Sequence, residues 1–564
     1  MKWVDLLVII GCTGILFALI SVAQQWRGTL RPIAQVNLSP VALPRYALLS
    51  LSRGLIAYVM SLAFTMVYAY WAAKDRMAER VLVPLLDILQ SIPVLGFMPG
   101  LVLALVGLFP RTNIGLELAA IIMIFTGQAW NMTFSFYYSL RSVPTDMRDV
   151  ATVYRFTWWQ RLRWVELPFS TMGLVWNSMM SMAGGWFFLM ISEAFVLGEK
   201  DFRLPGLGSY MSVAVARGDI AAMVWAVATM VVMIVLLDQL LWRPVVVWAR
   251  KFRVEEGGAQ ESTSSWFLAR LRRSRLLRWG ARRWRRRATR GVGSGGMASP
   301  AALRRPTSIT RESPHWTAHL SLLLSIVLLA VLGLGGWKLV HLLQGLSLAR
   351  WGAILGAAAQ TLGRVLLAIA LGTLWTLPVG LAIGLSPRIS RVMQPVVQVV
   401  ASFPAPMLFP AVVALLAAFG VSLDWGSVLL MLLGTQWYIL FNVIAGAMAV
   451  PSDLREAARG FGIRGTQRFW VLLAPAVFPY LVTGWVTAAG GAWNASIVSE
   501  YVTFKGRVLS AHGLGAEISR AAERADFHAL AASVVVMAMV VVLFNRTVWR
   551  RLYGLAQRRF SLSK

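Results

Sequence analysis

Cysteine is all but missing: Cys12 is the only one in 564 residues. A lone thiol inside an apolar run excludes a disulfide framework and a cysteine metal site. Charge is scarce too, at 14% of residues, where a soluble chain carries about a quarter. Histidine occurs five times, and neither a metal nor another cofactor is expected. No Gly-x-x-x-x-Gly-Lys-Ser/Thr loop occurs anywhere. The run from Gly291 to Gly296 has no lysine, so the chain is not expected to cradle ATP phosphates itself. No polar stretch is long enough to form a separate globular receptor. The N-terminus lacks a small-residue cleavage signature and reads as a retained first span.

What fills the chain is apolar. Hydrophobic residues make up 58%, and mean hydropathy is +0.65. A membrane crossing needs about 20 mostly apolar residues, and about twelve stretches qualify. Six lie at 3–23, 50–72, 81–109, 115–139, 172–197 and 221–242. After a polar gap, six more lie at 318–341, 361–386, 393–420, 425–449, 478–501 and 529–547. The expected fold is an all-α polytopic membrane protein of about twelve transmembrane helices. It divides into residues 1–249, a basic linker 250–315, and residues 316–564.

The two halves repeat one another. An offset of 307 carries Gly127 onto Gly434, Trp130 onto Trp437, Asp146 onto Asp453, Pro168 onto Pro475, Trp186 onto Trp493 and Glu193 onto Glu500. Gly206-Leu207-Gly208 falls on Gly513-Leu514-Gly515. Nearer the start of each half the offset is 311, pairing Arg53 with Arg364, Pro84 with Pro395 and Pro93 with Pro404. Apolar composition alone does not align Trp, Pro, Asp and Glu at fixed spacing.

Bases collect where they can orient such a protein. The linker 250–315 carries 17 Arg/Lys against 4 acidic residues, and the C-terminal tail holds Arg550, Arg551, Arg558, Arg559 and Lys564. An even number of spans per half puts both termini and the linker on one side, and the positive-inside tendency makes that side the cytoplasm. Arg27, Arg31 and Arg45 in the first loop point the other way but are outnumbered. The net charge of +30 is therefore read as orientation, and nucleic acid is not an expected partner. Residues 266–287 mix Trp, Phe and Leu with ten Arg. They fit either a basic helix lying on anionic lipid or a solvated tether.

Between the fourth and fifth stretches of each half lies a polar, arginine-dotted segment that cannot sit in hydrocarbon. In the second half, 451–475, it contains Glu456-Ala457-Ala458, then Gly462 and Pro475. The first half, 144–168, keeps the frame with Asp149-Val150-Ala151, Arg155 in the glycine position, and Pro168. Small residues admit close approach of a partner, glycine permits a bend, and proline suits the first turn of the next helix.

The second segment resembles the Glu-Ala-Ala loop of bacterial binding-protein-dependent ABC permeases. Spacing matches throughout, with Ala474 where leucine is usual. Thr361-Leu-Gly-Arg364 and Ser402-Phe-Pro404-Ala-Pro406 are similar to the nitrate/sulfonate/taurine-type members of that family. The resemblance covers both halves. It implies an inner-membrane importer fold made of two tandem six-helix permease domains, which that subfamily normally supplies as separate chains. It also implies ATPase coupling through Asp149, Ala151, Pro168, Glu456, Ala457, Ala458, Gly462 and Pro475. The implied partners are two ABC ATPase subunits, which bind the ATP, and a periplasmic or lipid-anchored solute-binding protein. The implied cargo is a small anion.

Ionisable groups within spans mark a pathway by default. Glu193 and Glu500 are duplicated, Trp493, Ser496 and Glu500 share a helical face, and Trp186 matches Trp493. Asp87 and Gln398 correspond to each other between proline pairs that should break the third stretch. These seven are the candidate pathway or gate residues. Their plainer reading is polar glue between helices. An ion-coupled secondary transporter is the alternative function. It explains the paired carboxylates but not two loops at fixed spacing. A membrane-integral transferase, or a scaffold acting through 266–287, has less to recommend it.

Overall fold

The computed structural model describes residues 23–26, 35–197, 200–252, 267, 269, 315–504 and 507–560. Residues 3–22 of the stretch expected to span at 3–23, and nearly all of 266–287, lie outside the described residues. The first half contains α1 (Leu43–Lys74), α2 (Arg76–Ser91), α3 (Val94–Leu108), α4 (Ile114–Arg141), α5 (Thr145–Val153), α6 (Leu167–Ser192), α7 (Leu207–Arg217) and α8 (Ile220–Leu237). The second contains α9 (His315–Leu343), α10 (Leu348–Leu385), α11 (Pro387–Ala401), α12 (Phe409–Ala418), α13 (Leu423–Met448), α14 (Ser452–Gly460), α15 (Ala474–Ser499), α16 (Leu514–Glu523), α17 (Phe527–Phe544) and α18 (Arg550–Arg559). A short antiparallel hairpin follows the fifth span of each half. In the first, β1 (Ala194–Leu197) pairs with β2 (Lys200–Arg203), and in the second β3 (Tyr501–Phe504) pairs with β4 (Arg507–Ser510).

Among the described residues eight helical stretches are long and apolar enough to cross a membrane. The pair α2–α3 adds a ninth if counted as one span, but it bends by 98°. Pro93 stands in extended conformation at the break. In the second half, Ser402 to Leu408 interrupt the matching stretch between α11 and α12. The third apolar stretch of each half is thus a broken element, for the reason its prolines suggest: a missing N–H and a ring that clashes with the preceding turn.

Caps repeat along with the helices. Asp219 accepts from Ala222 N–H at 3.0 Å ahead of α8, and Asp526 accepts from Ala529 N–H at 3.0 Å ahead of α17. Each half also carries two π turns in register. Leu162–Glu166 and Phe469–Leu473 lead into α6 and α15, while Asp238–Trp242 and Asn545–Trp549 lie in the last spans. Spans approach closely over glycine, as packing within a bilayer favours. A Cβ added at Gly127 would stand 2.2 Å from the Phe188 ring.

At one end of the bundle, an ion cluster joins elements far apart in sequence. Arg53 of α1 grips Glu117 of α4 with Nε and Nη2, at 2.6 and 2.7 Å, and reaches Glu193 with Nη1 at 2.7 Å. Glu193 also accepts from Ser50 Oγ and from Gly208 N–H, both at 2.7 Å. The copy joins Arg364 to Asp424 at 2.7 Å and to Glu500 at 2.9 Å. Thr361 Oγ1 and Gly515 N–H each donate to Glu500 at 2.9 Å. A Cβ at Gly206 or Gly513 would fall 2.3 Å from the respective glutamate, which explains the repeated Gly-Leu-Gly.

The first cluster is sealed, with Arg53 and Glu117 both 1% exposed. The second is open, with Asp424 37% exposed. Removing one member of a buried ion cluster costs about 3–5 kcal/mol. Arg53→Ala should therefore lower the thermal unfolding midpoint of purified protein clearly more than Arg364→Ala. Equal shifts would show that burial does not set the strength of the two clusters.

Candidate functional site

Two copies of a short surface helix and one cavity between the halves form the candidate site. Pro144 and Pro451 precede α5 and α14, and the turns that end them follow one backbone path. Phe156 N–H donates to Ala151 O and Ile463 N–H to Ala458 O, each at 2.9 Å. Ala151 and Ala458 face inward at 3% and 6% exposure. Asp149, Glu456 and Ala457 are exposed. Gly462 adopts φ 69°, and Arg155, in the equivalent place, is forced to φ 50°. Pro168 and Pro475 stand in the first turns of α6 and α15.

The two loops differ where they meet the membrane. Glu166, at the end of the first π turn, is buried and pairs with Lys74 of α1 and with Arg161 at 3.2 Å. Leu473 occupies its place in the second half. Tyr154, Trp158, Trp159 and Trp164 are all exposed beside the first loop, against Phe461 and Trp470 beside the second. Such aromatics suit the membrane–water boundary.

The cavity, of about 1150 Å³, is walled by both halves. Gly127, Trp130 and Phe134 of α4 line it together with their counterparts Gly434, Trp437 and Phe441 of α13. Asn494 accepts from Val94 N–H at 2.8 Å, a hydrogen bond between the halves. The cavity extends to Tyr138 near the loop end of α4 and to Arg550 and Tyr553 on α18. It therefore reaches the end of the bundle that carries α5 and α14.

Comparison with known proteins gives the class. The family described as binding-protein-dependent transport system inner membrane component matches the chain twice, over residues 62–241 and 376–561. The chain belongs to this family of ABC permeases. A taurine transport system permease protein, TauC of Escherichia coli (strain K12), is 26% identical to the permease over 197 residues, 34% of this chain and 68% of TauC. The nitrate import permease protein NrtB of Leptolyngbya laminosa is 28% identical over 145 residues, 26% of this chain and 50% of NrtB. A structure of the MetNI methionine ABC transporter in inward-facing conformations aligns with 38% of the permease at 18% identity and TM-score 0.33.

Of the candidate pathway residues, Asp87, Gln398 and Trp493 line the permease cavity. Trp186, Glu193, Ser496 and Glu500 do not. Both glutamates sit in the ion clusters, Ser496 donates to Trp493 O at 2.8 Å, and Trp186 packs over Gly54. Glu117 and Asp424 were not singled out from sequence, although the 307-residue offset pairs them. Nor were Asn494, Asn545 and Arg546. His315 and His319 stand four residues apart at the start of α9, the spacing of a helical metal pair. That departs from the expectation that the histidines carry no metal pattern, and their side chains lie outside the described residues.

Open space surrounds the Cβ direction of Gly462, so a side chain there pays only for the left-handed backbone, about 1 kcal/mol. Gly462→Ala should lower the unfolding midpoint of the permease. Arg155→Gly should raise it, and both shifts are reduced because glycine loosens the unfolded chain. Shifts of the same sign would remove backbone strain as the cause.

Proposed function

We propose that this permease supplies the whole translocation pathway of an ATP-driven importer for a small polar solute, an anion of the nitrate, sulfonate or taurine class. The pair of loops cast on one backbone, at the end of the bundle reached by a cavity that both halves wall, carries the reading. Two copies of an ATPase dock beneath 144–168 and 451–475 through Asp149, Glu456 and the small residues beside them. They hydrolyse the ATP, for which this chain has no phosphate loop. Each push enters a span through Pro168 or Pro475, by way of a π turn, an element often found where helices serve function.

The two domains are 1–249 and 316–564. Both termini and the linker 250–315 lie in the cytoplasm, and a separate solute-binding protein delivers cargo at the opposite face. The substrate class comes from the relatives named for taurine and nitrate. Against an ion-coupled carrier stands the engagement of Glu193 and Glu500 by arginine. Neither carboxylate lines the cavity, so neither stands on the pathway that a coupling ion would follow.

The test is ATP-driven uptake and ATPase activity of the permease with its ATPase in lipid nanodiscs and vesicles, for wild type, Glu456→Arg, Gly462→Glu and Asp149→Arg. Loss of one well-placed contact is worth about tenfold. Glu456→Arg and Gly462→Glu should therefore depress coupled uptake at least that far or dissociate the complex, with Asp149→Arg reporting whether the first loop bears force. Uptake driven by an ion gradient without any ATPase would sink this reading in favour of the secondary carrier.

A further inference from the structure

Resting on the permease reading, we infer that the loop end of the cavity is an anion-selective mouth, and that Arg546 and Arg550 set its charge. The repeat supplies the comparison. In the first half the last span carries Asp238, Gln239 and Arg243 at this level. Asp238 accepts from Arg243 Nε at 3.2 Å and from Gln239 Nε2 at 3.1 Å, which neutralises the site, and none of the three lines the main cavity. In the second half Asn545 replaces the acid and Arg546 replaces the glutamine, while Arg550 matches Arg243. The acid is gone and a base is added.

Both guanidinium groups are exposed and line the cavity. Neither has an ion-pair partner among the described residues, whereas Arg243 has one. Asp87 is the one carboxylate of the wall among the described residues. The wall thus holds one negative and two positive groups, and its other polar members are neutral. Free positive charge at the rim of a low-dielectric passage concentrates anions and repels cations.

Arginines near the ends of spans often anchor to lipid phosphate, the same chemistry from another source. A purely anchoring arginine has no need to line a cavity that both halves enclose.

Local charge is measurable without knowing the solute. The full chain carries Cys12→Ser and a reporter, Gly490→Cys, in the cavity wall where an added Cβ meets nothing within 4 Å. In nanodiscs, its labelling rates with negatively and positively charged methanethiosulfonate reagents are compared. Arg546→Gln/Arg550→Gln should lower the anionic-to-cationic rate ratio about fivefold, the order expected when two positive charges partly screened by salt are removed from the passage. Each single substitution should lower it about twofold. Arg546→Lys/Arg550→Lys should preserve it.

A ratio unmoved by the glutamine pair and by both single variants overturns the inference. So does an effect of the glutamine pair that is present in phosphatidylcholine nanodiscs and vanishes in anionic ones, since a lipid headgroup then holds the arginines. The readout needs no ATP and no transport. Its failure leaves the uptake test intact, and failure of ATP-driven uptake leaves the measured charge intact.

Discussion

One arginine holds each half of this permease together at one end. Arg53 and Arg364 each tie the second span to the start of the fourth, to the end of the fifth and to the turn after the hairpin, through one guanidinium group. Its planar fork makes this possible, since several donors point in fixed directions at once. Placing such a charge in a bundle is expensive unless every partner is present. The cluster therefore forms with all its elements in place or not at all. The Gly-Leu-Gly turns, the hairpins and the short helices α7 and α16 are positioned around carboxylates that fill the space where a Cβ would stand.

That end is tied by charge, while the walls of the cavity are joined by weaker contacts. The cavity walls meet through a hydrogen bond from Val94 to Asn494 and through apolar and aromatic surfaces around glycines. Contacts of that kind can slide or part without stranding a charge. A transporter that rocks about a fixed region needs this division of labour: ionic ties where elements move together, weak neutral ties where halves separate. The π turns ahead of α6 and α15 stand between the two regimes and join each surface loop to its span.

Much of this was legible in the sequence because the repeat aligned residues whose chemistry cannot be swapped freely. Pro84 with Pro395 and Pro93 with Pro404 marked the broken third stretch, while Trp130 with Trp437 and the glycine turns at 206–208 and 513–515 marked only the repeat. The partners of the glutamates were not legible. Arg53 lies 64 residues from Glu117 and 140 from Glu193, and no spacing rule connects contacts at such separations. A carboxylate near a span end therefore read either as a pathway group or as polar glue between helices until its guanidinium was seen. The arginines of the last span were equally opaque. In sequence Arg550 belongs to a basic tail and Arg546 to the end of the last apolar stretch, and only the fold divides those that line the cavity from those beyond it.

Joining the halves in one chain also changes what evolution can do with them. In a symmetric pair of identical subunits, any substitution appears twice and must suit both places at once. Here each of the paired positions is written separately. Glu166 corresponds to Leu473, Asp238 to Asn545 and Arg155 to Gly462. Each such mismatch is a break in symmetry that no homodimer can encode. The single polypeptide thereby gains a left and a right, and selection can assign each side its own task.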